Sequence, residues 1–208
     1  MPEQPLSFDL YDPNPLMIII SGPSGVGKDS VVKRLMERDS SFHFVVTTTS
    51  RERREHEVEG RDYFFVSKEQ FEGMIAHDEM IEYALVYDQY KGAEKKQVRD
   101  AFASHKDVIV RLDVQGAASY RKMFPEAVLI FLLPCSEQEL IHRLRDRGTE
   151  TEESIALRMA TTRQEMEYLP IFDYIVHNPA GKLDHAVDML QAIIDAEHHR
   201  VHQRTVSI

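Results

Sequence analysis

The chain has 208 residues and a formal net charge of −10, from 25 Lys and Arg against 35 Asp and Glu. This acidic balance argues against a general binder of nucleic acid or anionic membranes, because such proteins need basic surfaces. The single cysteine permits no internal disulfide, and the longest apolar run, 127–133, is far below the ~20 residues that span a bilayer. A hydrophobic content of 42% is enough for the core of one domain with a small insertion.

Residues 1–15 contain four prolines and no Lys or Arg, which predicts a flexible N-terminal arm. Signal and transit peptides carry positive charge, and none is visible in this segment. We therefore expect a cytoplasmic protein, with the plastid or mitochondrial matrix as the alternative for a mature form.

A strand, a glycine-rich turn and a helix are predicted next. The apolar run 16–20 is typical of a buried strand, and it leads into SGPSGVGKDS at 21–30 and then into an amphipathic segment. The glycines allow a tight turn that aims backbone N–H groups at a phosphate. The spacing Gly22-x4-Gly27-Lys28 fits the phosphate-binding loop of nucleotide kinases and hydrolases. The alternative is a glycine-rich turn without a ligand.

The stretch 47–96 differs in character from the rest of the chain. It is dense in charge, rich in Tyr and Phe, and alternates in places, which predicts a small, partly β insertion. Continuous apolar strands are predicted in the rest of the chain, at 16–20, 43–46, 107–112, 127–133 and 174–176. Helices alternate with them. They are predicted after the first strand, at 94–103 where the chain leaves the insertion, at 115–123, at 136–145, over a segment that ends near 168, and at 183–194. This alternation predicts an α/β fold with a parallel sheet covered on both faces. Cys135, at the end of one apolar run, is expected to be buried.

The insertion begins with a second candidate anion site. Arg51 and Arg54 are three positions apart, and Tyr63 follows. Two guanidinium groups and a phenol can hold a phosphate group. Five acidic residues interleave with these arginines, namely Glu52, Glu55, Glu57, Glu59 and Asp62. Composition alone therefore favours a solvated, charged loop.

The motifs resemble those of guanylate kinases, which transfer the γ-phosphate of ATP to GMP. The resemblance runs from about residue 16 to residue 200 and is carried by SGPSGVGK at 21–28, TSRERR at 49–54, Gly60-x-x-Tyr63, Glu82, Asp113-x-Gln115-Gly116 and RGTETEES at 147–154. The chain is similar in particular to plant organelle-type and related bacterial forms, which also carry GVGKD, YKG and a terminal VHQR.

The resemblance implies the P-loop nucleoside-monophosphate kinase fold: a parallel five-stranded sheet flanked by helices, with a mixed α/β insertion and a lid. The expected segments are a core at 16–46, 97–146 and 169–202, a GMP-binding insertion at 47–96, a lid at 147–168 and a tail at 203–208. ATP and GMP are the expected partners, without nucleic acid or membrane, and we expect a monomer or weak homodimer.

The resemblance also implies roles for individual residues. Catalysis is assigned to Lys28, Arg147 and Arg158. ATP binding is assigned to Gly22, Pro23, Ser24, Gly25, Val26, Gly27, Lys28, Asp29, Ser30, Arg143 and Asn178. GMP binding is assigned to Thr47, Arg51, Arg54, Tyr63, Glu82, Lys91 and Asp113. Glu82 would accept hydrogen bonds from the N1–H and 2-amino groups of guanine, a pair of donors that adenine lacks. Its alternative is a surface acid on an edge strand.

Four positions depart from the family pattern. Ala93 replaces a Ser or Thr that touches guanine, and Lys91 replaces a tyrosine that touches the GMP phosphate. Arg111 replaces an acid near the base and the metal. Asp29 replaces the Ser or Thr that binds magnesium, and its carboxylate could bind Mg²⁺ directly or through water. Mg²⁺ with ATP is thus the expected cofactor. A related kinase with another phosphorylated acceptor and a non-catalytic binding module are the alternative functions.

Overall fold

The computed structural model describes residues 12–86, 88–146 and 151–206. Its elements in chain order are β1 (Met17–Ser21), α1 (Lys28–Arg38), β2 (His43–Val45), β3 (Thr48–Thr49), β4 (Phe64–Phe65), α2 (Lys68–Ala76), β5 (Met80–Val86), β6 (Gln89–Glu94), α3 (Lys95–Ala103), β7 (Val108–Arg111), α4 (Val114–Met123), β8 (Val128–Leu133), α5 (Glu137–Asp146), α6 (Glu152–Met166), a 3₁₀ turn (Leu169–Ile171), β9 (Tyr174–His177) and α7 (Leu183–His198). No helix in the described part of the chain is both long enough and apolar enough to cross a membrane.

A five-stranded parallel sheet forms the centre of the molecule, in the order β2-β7-β1-β8-β9. The central strand β1 pairs on both sides, with Ile19 beside Val110 of β7 and Leu129 of β8. The predicted α/β class and parallel five-stranded sheet are confirmed. The strand ends differ from the predicted ones by one residue at most.

Alternate residues of β1 enter two separate cores, because successive side chains of a strand point to opposite faces. Ile18 and Ile20 pack in a cluster with residues of α1 and α7. Met17 and Ile19 pack in a second cluster with residues of α3 and α4. Helices therefore cover both faces of the sheet, which explains why its strands are continuously apolar.

The segment between β2 and α3 forms a second, mixed sheet in the order β4-β3-β6-β5. Strands β3 and β4 are parallel, whereas β6 runs antiparallel to both β3 and β5. Helix α2 starts with a capping box of Ser67 and Gln70 and contributes the fully buried Phe71, whose ring stacks on Tyr90 at 5.1 Å. Of the predicted acceptor residues, Glu82 and Lys91 lie in its strands, and the others except Asp113 lie in the segments next to β3 and β4.

Cys135 is exposed, so the prediction that it is buried is wrong. Strand β8 ends at Leu133, and the chain leaves the sheet through Pro134 before α5 begins. The apolar run in the sequence extends up to this turn, but the burial stops where the strand stops.

The two ends of the described chain meet. The backbone N–H of Asn14 donates to Gln203 Oε1 at 2.9 Å, and Gln203 Nε2 donates to the Asp12 carbonyl at 3.0 Å. Arg204 donates to both carboxylate oxygens of Glu197 on α7, at 2.8 and 3.1 Å. Residues 12–14 of the predicted arm thus contact the predicted tail, and the rest of that arm lies outside the described residues.

Replacement of Leu190 by Ala tests the packing of α7 on the sheet. Leu190 is fully buried in the cluster that contains Ile18 and Ile20. Its truncation should lower the free energy of unfolding by about 2–5 kcal/mol, since a large-to-small change in a core loses transfer energy and leaves a cavity. Urea unfolding followed by circular dichroism measures the change.

Met189 provides the matched control, because it precedes Leu190 on the same helix and is 42% exposed. Met189→Ala should change the free energy of unfolding by no more than about 0.5 kcal/mol. Equal losses in the two variants would contradict the assignment of this helix face to the core.

Candidate active site

The glycine-rich turn lies between β1 and the N-terminus of α1. Gly22 and Gly27 have φ angles of 138° and 93°, which side chains other than glycine rarely adopt. A Cβ atom at Gly22 would lie 2.3 Å from the Leu132 carbonyl oxygen, and one at Gly27 would lie 2.6 Å from Asn178 Nδ2. Both the backbone conformation and the lack of space therefore require glycine. The turn leads into the positive end of α1, a common position for bound phosphate.

Lys28 lies within the curve of this turn. Its Nζ donates to the carbonyl oxygens of Gly22 at 2.5 Å and of Pro23 at 3.0 Å. Burial lowers the pKa of Lys28 to about 8, against the opposing effect of Glu165. An anion bound beside this poorly solvated ammonium would favour its charged form.

Three predicted ATP or catalytic residues hold the turn from outside. The Val26 carbonyl accepts hydrogen bonds from Arg143 Nη1 at 2.9 Å and from Asn178 Nδ2 at 2.8 Å. Arg158 Nη1, on α6, donates to Ser24 Oγ at 2.9 Å. Arg143, Asn178 and Arg158 are thus in contact with the loop. Arg147, the third predicted catalytic residue, lies outside the described residues.

Asp29, in the first turn of α1 beside the exposed Ser30, is paired with Arg111 at the end of β7. Arg111 Nη1 lies 2.8 Å from Asp29 Oδ1, and the Asp29 side chain is 52% exposed. Burial raises the pKa of Asp29, but Arg111 and Lys28 lower it, and the net pKa is below the usual value. The carboxylate is therefore ionised and already in contact with a cation.

Arg51 and Glu57 form a bidentate pair in the acceptor segment. Arg51 Nη2 and Nη1 donate to Glu57 Oε1 at 2.5 Å and Oε2 at 2.7 Å, and the backbone N–H of Arg54 donates to Oε2 at 2.9 Å. The side chains of Arg51 and Glu57 are 9% and 5% exposed, whereas that of Arg54 is 45% exposed. The Arg51 guanidinium carbon lies 5.0 Å from the centre of the Tyr63 ring. The solvated-loop alternative does not describe Arg51, because one of the interleaved acids holds it in place.

Glu82, on β5, is buried next to the N-terminus of α4. Its Oε1 has no hydrogen-bond partner among the described residues. Burial and the nearby Asp113 raise the pKa of Glu82 to about 8. Asp113 itself caps α4 by accepting from the backbone N–H groups of Gln115 at 3.0 Å and Gly116 at 2.9 Å. The alternative of a surface acid is wrong for Glu82, although β5 is an edge strand.

One cleft joins the phosphate loop to the acceptor segment. It has a volume of about 130 Å³ and is lined by Ser24, Lys28, Thr47, Arg51, Arg54, Tyr63, Glu82, Gln89, Lys91, Gly92, Arg111, Leu112, Asp113, Arg158 and Glu165. The structure thus brings all seven predicted acceptor residues together with Lys28 and Arg158. The loop residues Gly22, Pro23, Gly25, Val26, Gly27, Asp29 and Ser30, with Arg143 and Asn178, lie around the turn outside this lining.

Sequence reasoning missed two acids of the site. Glu57 orients Arg51, but its spacing of six residues has no recognisable pattern. Glu165 lines the cleft, and burial raises its pKa, with an opposing effect from Lys28. Glu165 lies seven residues after Arg158 on α6, which places both on one face of the helix, and this spacing could have indicated it.

The chain is similar to known proteins over most of its length. The family model "Guanylate kinase" matches residues 14–197. "Guanylate kinase 2, chloroplastic/mitochondrial" of Oryza sativa subsp. japonica is 50% identical over 197 residues, which are 94% of this chain and 69% of that protein. The guanylate kinase of Halalkalibacterium halodurans is 45% identical over 183 residues, covering 88% of this chain and 89% of that protein.

Among solved structures, the guanylate kinase of Anaplasma phagocytophilum superposes with a TM-score of 0.73 at 26% identity, covering 92% of this chain and 90% of that chain. The family model covers most of the chain, and the relatives align over most of their own length. The chain therefore belongs to the guanylate kinase family.

Proposed function

We propose that this chain transfers the γ-phosphate of ATP to GMP, and also to dGMP, to give ADP and GDP or dGDP. The observation that carries the proposal is the shared cleft. Lys28 of the phosphate loop and the Arg51, Arg54 and Tyr63 group line its walls, so that two phosphorylated ligands would meet there. Family membership supports the same reaction.

The cations of the cleft would do most of the catalytic work. Phosphoryl transfer spreads negative charge over the equatorial oxygens, so catalysis is largely positioning and cationic stabilisation. Lys28 would contact the terminal phosphates of ATP, and Arg158, which contacts the loop at Ser24, would contact the transferring group. Arg147 is assigned the same role. A general base is not needed, because the attacking phosphate oxygen of GMP is already anionic.

GMP would lie with its phosphate against Arg51, Arg54, Tyr63 and Lys91. Its guanine would reach Glu82, whose unpaired Oε1 can accept from N1–H or the 2-amino group. A buried carboxylate left half-paired costs about 1–3 kcal/mol, which disfavours AMP as the acceptor. Thr47 and Asp113, which also line the cleft, are the remaining predicted base contacts.

Magnesium would be held chiefly by the phosphates of ATP and by water, with Asp29 as the protein ligand. Asp29 fits this role in part. Its carboxylate is ionised, half exposed and next to Lys28, but it is also paired with Arg111. The described residues contain no group of three or more His, Cys, Asp or Glu suited to a metal. Mg²⁺ commonly binds through one or two carboxylates plus substrate phosphates. The ion supplies neutralisation of phosphate charge when bound.

The alternative functions have less support. A non-catalytic binding module has no need of the positive-φ glycines and the poorly solvated lysine of a phosphate loop, and all of these are present. A kinase with another acceptor gives no reason for a buried Glu82 whose Oε1 has no partner among the described residues. Localisation in the cytoplasm is still a prediction, and so is a monomeric or weakly dimeric state.

Removal of either anion site should abolish the reaction. Lys28→Met and Arg51→Ala should each lower GMP-dependent ADP formation by ~10³-fold or more, because each removes a cation that stabilises transferring or acceptor phosphate. A coupled assay for ADP measures the rate, and circular dichroism verifies the fold.

Arg53→Ala is the matched control, since Arg53 lies in the same loop and is exposed. It should keep nearly full activity. Full activity in Lys28→Met or Arg51→Ala would refute the proposed roles. Comparing GMP, dGMP, AMP, UMP and a sugar phosphate as acceptors decides between guanylate kinase activity and another acceptor.

GMP affinity should depend on pH through Glu82. The ionised carboxylate accepts from guanine, but its pKa of about 8 in the free protein means that it is mostly protonated at pH 7. GMP binding must then release a proton, so affinity should rise between pH 6.5 and 8 by up to about tenfold per pH unit and level off above the pKa. Isothermal titration calorimetry in two buffers measures both affinity and proton release.

Glu82→Gln removes the titrating group and should abolish this rise, while also weakening GMP relative to AMP. A wild-type affinity that is flat over this range, or a slope unchanged in Glu82→Gln, would contradict the proposed base contact.

A further inference from the structure

Arg111 is a buried charged residue at the carboxyl end of a core strand. It ends β7, whose other residues, Val108–Val110, are buried and apolar, and its own side chain is 5% exposed. Burying a charge is costly unless the charge is paired and hydrogen-bonded. The contacts of the guanidinium therefore indicate why it can be accommodated here.

Those contacts join three parts of the molecule. Arg111 Nη1 lies 2.8 Å from Asp29 Oδ1, next to Lys28 at the start of α1. Arg111 Nη2 donates to the Asp62 carbonyl at 2.7 Å, and the guanidinium carbon lies 4.2 Å from the centre of the Tyr63 ring. A single side chain on the core sheet thus touches both the phosphate-loop helix and the turn that carries Tyr63.

The ring of Tyr63 is in contact with two guanidinium groups. Its ring centre lies 4.2 Å from Arg111 and 5.0 Å from Arg51. Guanidinium groups at this distance from an aromatic ring attract it, more strongly when desolvated. Both arginines therefore help to hold the phenol group in the cleft.

A second cavity lies on the other side of Arg111. Its volume is about 590 Å³, and it is lined by residues of α1, of β2 and of the turn at 60–62. Asp29, Asp62 and Arg111 all line it, so these residues form part of its wall. The backbone N–H of Phe64 donates to the Thr47 carbonyl at 2.9 Å and holds the turn to the small sheet. The hydrogen bond and the ring contact from Arg111 hold the same turn against the core sheet.

We propose that Arg111 is a positioning residue of the acceptor-phosphate site, which holds Tyr63 in place by tying its turn to Asp29 beside the phosphate loop. This inference depends on the proposed function, in which Tyr63 contacts the GMP phosphate. The planar fork of arginine donates in two directions while stacking on a ring, and lysine cannot reproduce this geometry. The pair with Asp29 sets the direction of the fork.

The test compares the binding of GMP with that of a non-hydrolysable ATP analogue by calorimetry. Arg111→Gln should raise the Kd for GMP about tenfold or more, as expected for the loss of a charge-assisted contact, and should change the Kd for the ATP analogue by less than about threefold. Arg111→Lys should restore only part of the GMP affinity. Asp29→Asn should also raise the Kd for GMP, but by a smaller factor.

A double-mutant cycle with Tyr63→Leu shows whether Arg111 acts through Tyr63. In that background Arg111→Gln should weaken GMP by less than about threefold more, because the ring that it positions is gone. Arg121→Gln is the structural control. Arg121 is also anchored by carbonyl oxygens and an aspartate, Asp173, but it lies outside the lining of the cleft. Arg121→Gln should lower the free energy of unfolding and should change the Kd for GMP and the Kd for the ATP analogue by the same factor.

Two results would overturn the inference while the wild type still binds and phosphorylates GMP: an unchanged Kd for GMP in Arg111→Gln, or equal changes for both ligands as in Arg121→Gln. A fully additive cycle with Tyr63→Leu would also overturn it. A wild type that fails to bind GMP would refute the proposed function instead. Asp29→Asn and Arg111→Lys keep the test decisive if Arg111→Gln does not fold.

Discussion

Crowding of positive charge in one cleft is the constraint on which the site depends. The chain is acidic overall, yet six of its cations line this cleft: Lys28, Arg51, Arg54, Lys91, Arg111 and Arg158. Burial and neighbouring cations lower the pKa of Lys28 and Lys91. Such an arrangement is unfavourable by itself, and phosphate groups would relieve it. Repulsion among these cations in the free protein would therefore favour the binding of a pair of multiply charged anionic ligands.

The fold brings the cations together from two separate units. The parallel sheet presents the phosphate loop at the end of β1 and Arg111 at the end of β7, as expected for a ligand site at the carboxyl ends of parallel strands. The connection between β3 and β4 of the small mixed sheet supplies Arg51 and Tyr63. Two acids orient cations of the cleft, since Glu57 pairs with Arg51 and Asp29 pairs with Arg111. These ion pairs therefore fix the direction of two of the guanidinium groups.

The core sheet could be predicted from the sequence because five continuous apolar runs alternate with helical segments, and a strand buried on both faces leaves this signal. The phosphate loop could be predicted because its glycines and Lys28 have a fixed spacing. Neither the Arg51–Glu57 pair nor the Asp29–Arg111 pair follows from spacing, because their partners meet only through tertiary packing. For Glu82, sequence resemblance indicated a base contact, but its burial and raised pKa depend on α4 packing beside β5. Burial of Cys135 was wrongly expected because an apolar run does not show where its strand ends.

A crystal structure with a bisubstrate analogue, in which adenosine and guanosine are joined through a chain of phosphates, would show whether the two anion sites bind the two nucleotides at once. The expected arrangement has the phosphate chain running from the turn at 22–28 to Arg51 and Tyr63, with guanine next to Glu82. Guanosine bound away from the Arg51 and Arg54 pair, or adenosine phosphates bound away from the glycine-rich turn, would contradict it.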